Sequence, residues 1–162
     1  MANIVNINTA MIDFMKQCPA IEYMYEVFSE MEDGTQLFEP TTTDNYITTY
    51  IDGRKRKRLD FTISNFVSIT TNSNSTTSEN ILEIEEMQEI INWFNLQVKK
   101  RNYPNFGDFV EIDEMYSLQA QPNLAGVNYE LSPPLAQYTL SFSVEYIEDE
   151  DALLEEYEKT LI

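Results

Sequence analysis

Asp52-Gly53 stands between two runs of alternating apolar and polar residues, YITTYI and RLDFTISNFVSI, and that arrangement leaves the chain few ways to fold. Asp-Gly tolerates the positive φ of a tight turn, so the pattern predicts a β-hairpin over 45–69. In its second arm Leu59, Phe61, Ile63, Val67 and Ile69 share one parity and face a core. Arg54, Arg56, Arg58, Asp60, Thr62 and Ser64 share the other, so that side is polar and begins strongly basic. A second alternation follows Pro133-Pro134: Tyr138, Leu140, Phe142, Val144 and Tyr146 point inward, opposite Thr139, Ser141, Ser143 and Glu145. A third sets Val110, Ile112, Tyr116 and Leu118 against Glu111, Asp113, Met115 and Ser117.

Helical periodicity fills the spaces between these strands. Ile84, Met87, Ile91, Phe94 and Val98 recur at three- and four-residue steps, joined by Ile81, Ile90 and Trp93. They predict a helix of roughly 20 residues that lays one broad face on a sheet. The polar loop TTNSNSTTSEN leads into it with Thr76 and Glu79 spaced for a capping box, and Lys99, Lys100 and Arg101 close it where the helix dipole favours cations. Near the N-terminus Asn8 or Thr9 caps a short helix carrying Met11, Ile12, Phe14, Met15 and Cys18, which Pro19 stops. Residues Ile21 to Met31 are aromatic and acidic by turns and read as a strand covered on both faces, or as a further helix. The tail EDEDALLEEYEKTLI reads as a short capped helix with Leu153, Leu154, Tyr157 and Leu161 on one side. The order is that of a single α+β domain: a mostly antiparallel sheet with a β-hairpin, packed against an N-terminal helix and one long central helix.

Charge narrows the function. The 162 residues carry 28 acidic and 10 basic side chains and no histidine, a formal net charge of −18. Eight of the ten bases lie in two clusters, Arg54 to Arg58 and Lys99 to Arg101. Such a field repels nucleic acid and anionic lipid, so a protein partner is the simpler expectation. Ten Tyr and nine Phe supply the burial that disordered acidic chains lack. One cysteine, no secretory signal and no apolar run of about 18 residues set the expectation of a cytosol-like compartment and no membrane association.

Few routes to catalysis remain. One Cys and no His make no zinc site, and the four glycines form no phosphate-cradling loop. Cys18 has no imidazole to activate it and suits a buried helix end. Glu111 and Asp113 could serve as an acid/base pair, but they alternate with apolar residues as the wet face of a strand does. Glu148, Asp149, Glu150 and Asp151 lack the spaced ligands and central glycine of a calcium loop. No enzyme and no cofactor are expected. The run Arg54, Lys55, Arg56, Lys57, Arg58 divides between the two faces of a strand with no aromatic residue interleaved for base stacking, which favours a protein contact over a nucleic-acid patch. The acidic candidates to meet it on a neighbouring copy are Glu111, Asp113, Glu148, Asp149, Glu150 and Asp151.

The succession YITTYIDGRKRKRLDFTIS, a long helix ending in VKKRNYPNFGD, VEIDEMYSL and the strand LAQYTLSFSVEYIED resembles the tail terminator proteins of long-tailed bacteriophages. The likeness spans residues 8–148 and includes the Tyr-x-Asp-Gly hairpin of Tyr50, Asp52 and Gly53. It divides the chain into a terminator-like domain, 1–148, and an acidic helical extension, 149–162, that the family does not explain. The resemblance implies a non-enzymatic virion protein of the tail and neck, assembled in the host cytoplasm. Such a protein forms a ring of six copies that caps the tail tube, stops polymerisation and meets the head connector or neck protein. DNA would pass through the lumen without specific binding. The reading from a different class is an acidic regulatory or decoy protein that binds a basic partner.

Overall fold

The computed structural model describes residues 3–21, 24–26, 36–41, 46–68, 76–130 and 134–162. Along the chain the elements are α1 (Ile7–Met15), β1 (Met24–Glu26), β2 (Gln36–Pro40), β3 (Tyr46–Thr49), β4 (Lys55–Ser68), α2 (Thr76–Lys100), β5 (Val110–Ser117), β6 (Asn123–Asn128), β7 (Leu135–Glu148) and α3 (Glu150–Thr160). The strands make one seven-stranded sheet of order β1-β2-β4-β7-β5, with β3 also on β4 and β6 also on β7. Every pairing is antiparallel except β1 with β2. This is the α+β domain that the alternating patterns predict.

The hairpin closes as expected. The Tyr50 amide donates to the Arg54 carbonyl at 2.8 Å and the Gly53 amide to the Tyr50 carbonyl at 3.0 Å. Ile51, Asp52 and Gly53 therefore form a three-residue loop, and Gly53 holds the left-handed place in it with φ +91°. Beyond the loop β4 and β7, 14 residues each, pair along their whole length. Their inward residues Leu59, Phe61, Ile63, Leu140, Phe142, Val144 and Tyr146 are buried.

Both α1 and α2 contribute to the core that covers one face of the sheet. Asn6, rather than the expected Asn8 or Thr9, caps α1 by accepting the Thr9 amide on its Oδ1 at 3.1 Å. Met11, Ile12, Phe14, Met15 and Cys18 are all buried, and burial pushes the Cys18 thiol pKa up. From α2 come Met87, Ile90, Ile91 and Phe94. Phe94 lies 4.6 Å from Phe142, which stacks on Phe61 at 5.3 Å, which in turn stacks on Phe38 at 4.9 Å. This aromatic row is the centre of the domain. At 25 residues α2 is longer than expected, and Ile84 is 36% exposed, whereas Met87, one turn later, is fully buried. The helix ends in a Schellman motif, with the Asn102 amide on the Gln97 carbonyl and the Arg101 amide on the Val98 carbonyl at 3.0 and 3.1 Å.

One register expectation fails. On β5 Met115 is 1% exposed and Leu118 is 53% exposed, the reverse of the parity read from the sequence. A bulge between Ile112 and Glu114 inserts Asp113 as an extra residue opposite β7, so side chains after it change face. Val110 and Ile112, before the bulge, pack against the core as expected. Of 21–31, Met24–Glu26 forms a strand. The rest of that stretch after Ile21, the Thr76 and Glu79 capping side chains, Ile69 and Ile81 fall outside the described residues.

Phe142 is fully buried against Phe61 and Phe94, so Phe142→Ala is expected to destabilise the domain by about 3–5 kcal/mol in urea unfolding. A loss under about 1 kcal/mol would mean that this face is not the core.

Candidate interaction surface

The cations of β4 occupy both faces of the sheet, and the β7 register decides what each one meets. Lys55, Arg56, Lys57 and Arg58 lie opposite Glu148, Ile147, Tyr146 and Glu145. On the core side, past Leu59, the Lys57 Nζ donates to Glu148 Oε1 at 3.1 Å and lies 3.6 Å from Glu150 Oε2. The Lys55 Nζ is 3.0 Å from the same Glu150 oxygen. Glu148 is 7% exposed, and the Lys57 ammonium is the cation its carboxylate meets there.

On the opposite face Arg56 Nη1 donates to Asp113 Oδ2 at 2.6 Å, and its Nε lies 3.7 Å from Glu145 Oε1. Donation to the Asp113 carboxylate, helped by a hydrogen bond with the Tyr50 side chain, pushes the Arg56 guanidinium pKa further up against the opposing effect of burial. Asp113 keeps the outward face that Glu111 shares and meets Arg56 there, while the bulge re-aims the residues after it. Arg58 Nε is 3.1 Å from Asp60 Oδ2, and the other oxygen of Asp60 accepts the buried Ser143 hydroxyl at 2.6 Å. In the turn Arg54 Nε meets Asp52 Oδ2 at 2.8 Å. The Arg54 amide and side chain together hold the Asp52 carboxyl below its ordinary range.

All five cations therefore find a carboxylate in their own chain. Asp113, Glu148 and Glu150, expected to meet the basic arm from a neighbouring copy, meet it within one molecule. The reason is topological: β5 and β4 flank the same stretch of β7, and α3 starts where β7 stops. Of the other acidic candidates, Asp149 caps α3 by accepting the Ala152 amide at 3.1 Å. Asp151 lies beside the hairpin turn, where a β-carbon on Gly53 would come within 3.2 Å of its Oδ2. Glu111 is exposed and makes no ion pair among the described residues. Sequence reasoning passed over the outcome for α3, none of whose side chains is buried; the signal was the Leu154, Tyr157, Leu161 stripe set among acidic residues.

The carboxylates accept from cations and amides, and among the described residues no three His, Cys, Asp or Glu side chains gather as a metal site. No helix among the described residues is long and apolar enough to cross a membrane. No protein-family model matches the chain, and no curated protein matches its sequence.

Lys57→Met leaves Glu148 mostly buried without its ammonium, and an expected loss of about 1–3 kcal/mol follows. Glu148→Gln added to Lys57→Met should recover part of it, as a double-mutant cycle in urea would show. The acid limb offers a second check. Lys55 bonds Glu150 and holds its carboxyl below the ordinary range, so the pair's contribution is present above the unfolded glutamate pKa of about 4.3 and is lost as pH falls through the lower folded value. Amide protection factors in α3 should therefore fall below about pH 4, and Lys55→Met should shrink that pH step, the remainder being held by Lys57, 3.6 Å from the same carboxylate.

Proposed function

We propose that this chain is a non-enzymatic virion protein, a tail terminator of the long-tailed bacteriophage type. As a ring, of six copies by the resemblance, it caps the tail tube, stops its polymerisation and offers the head connector its docking surface. The observation that carries the reading is α3. It is an ordered helix of 11 residues with no buried side chain, and its Leu154 and Tyr157 and the Leu161 at its C-cap are 53%, 56% and 69% exposed. A helix that short is marginal in water, and an exposed apolar stripe on it is matched to another protein. The hairpin tip adds Ile51, fully exposed, with Ile47 and Tyr50 partly so.

Two further features support assembly over catalysis. The hairpin is braced by internal ion pairs, which suits a fixed projection that other subunits grip. The sheet face opposite the helices carries Thr62, Thr139 and Ser141, small polar groups suited to a wet or loosely covered surface. A net charge of −18 on each copy would keep a lumen from holding DNA as it passes.

Electron microscopy of particles assembled without this protein is the test. Overlong tails unattached to heads are expected. Tails of parental length joined to filled heads would overturn the proposal, and a chain that stays monomeric beside tail tubes while binding a basic protein with steep salt dependence would install the decoy reading in its place.

A further inference from the structure

With Arg54 to Arg58 neutralised internally, the cluster left for an acidic partner is Lys99, Lys100 and Arg101. All three are exposed at the end of α2, and none makes an ion pair among the described residues. Arg101 sits at φ +53°, a left-handed position where glycine is the common occupant and a β-carbon is strained. One turn earlier Leu96 is 45% exposed, and with Trp93, Asn92, Pro19 and Ala20 it lines a shallow cleft between α2 and the turn after α1.

The C-terminal helix carries the complementary pattern. Leu154, Tyr157 and Leu161 form its apolar stripe, and Glu155 and Glu158 run along one flank of it. Glu150 and Glu156 are held by Lys55 and Lys159, whereas Glu155 and Glu158 are exposed and make no ion pair among the described residues. On both surfaces the apolar and charged groups stand one helical turn apart, about 5 Å.

We infer that α3 of one copy docks on the C-terminal end of α2 of the next. Leu154, Tyr157 and Leu161 cover Leu96 and its cleft, and Glu155 and Glu158 pair with Lys99, Lys100 and Arg101. The two surfaces differ, so the contact is heterologous and propagates from copy to copy, closing into a ring where the rotation allows. Its closure into a ring rests on the terminator reading, whereas the contact itself does not. Like-charge repulsion between copies is long-range and is screened over about 8 Å at physiological salt, which spares the short-range pairs.

Charge reversal in the full-length chain tests it. One variant carries Lys99→Glu and Lys100→Glu, the other Glu155→Lys and Glu158→Lys, and sedimentation velocity reads association. Each variant alone should be monomeric where the parent associates, and an equimolar mixture should associate again, because each altered surface then faces its complement. A control that makes the second variant's charge change elsewhere, Glu85→Lys with Glu130→Lys, should associate like the parent. Arg101→Gly relieves the left-handed strain, so it should unfold at no lower temperature than the parent yet associate about fivefold more weakly. A parent that is monomeric at every concentration overturns the contact, as do variants that associate like the parent or a mixture no better than its components. Tail-tube length, measured in mixtures with polymerising tube protein, separates this from the functional reading. Association that follows the charge reversals while tube length is unaffected keeps the contact and sinks the terminator; tubes capped equally well by each variant alone do the opposite.

Discussion

Fourteen residue pairs join β4 to β7, from Lys55 opposite Glu148 to Ser68 opposite Leu135. Side chains alternate with a period of two, so a slip of one residue would turn Phe61, Ile63, Leu140 and Phe142 out of the core together. Four such side chains at about 1.5–3 kcal/mol each amount to about 6–12 kcal/mol, as much as the whole stability of an ordinary domain. The register is therefore not negotiable, and the other elements take their places from it. Phe94 of α2 rests on Phe142, β2 brings Phe38 against Phe61, and β5 and β6 divide the far edge of β7 between them.

The same register explains which parts of the fold are legible in the sequence. β4, β7 and α2 are long and periodic, and each carries a repeated signal that no neighbour has to supply. β2 and β6 are not legible: QLFEP and NLAGVN are short, the second contains Gly126, and both are strands only because a long neighbour offers unpaired backbone groups. The bulge at Asp113 has no local signature either. VEIDEMYS alternates without a break, and only the burial of Met115 by the tertiary core reveals the inserted residue. For the basic arm, the residue types were legible and their destination was not. Sequence separation hides that Arg56 and Asp113, or Lys57 and Glu148, lie across adjacent strands, so the pairing reads as intermolecular until the topology is known.

Beyond Leu59 the inward positions of β4 change from apolar residues to Lys57 and Lys55, and those of β7 end at Glu148. Apolar residues there would bury more oil-like surface, and buried ion pairs seldom exceed such a replacement in stability. Placement is the better account of them. Lys55 and Lys57 both reach Glu150, the first residue of α3, while Asp149 caps the helix and Glu150 and Asp151 suit the positive end of its dipole.

An 11-residue helix with no buried side chain would fray if it were merely attached to the end of a strand. Here its first turn is capped and tied to the hairpin by charge, leaving the stripe further along ordered but uncovered. Ordering α3 before the docking proposed for it would remove part of the entropy that docking otherwise costs. The basic arm thus bears on the proposed contact indirectly: its lysines hold the first turn of α3, and the exposed cations at the end of α2, which make no ion pair among the described residues, lie where the proposed docking would use them.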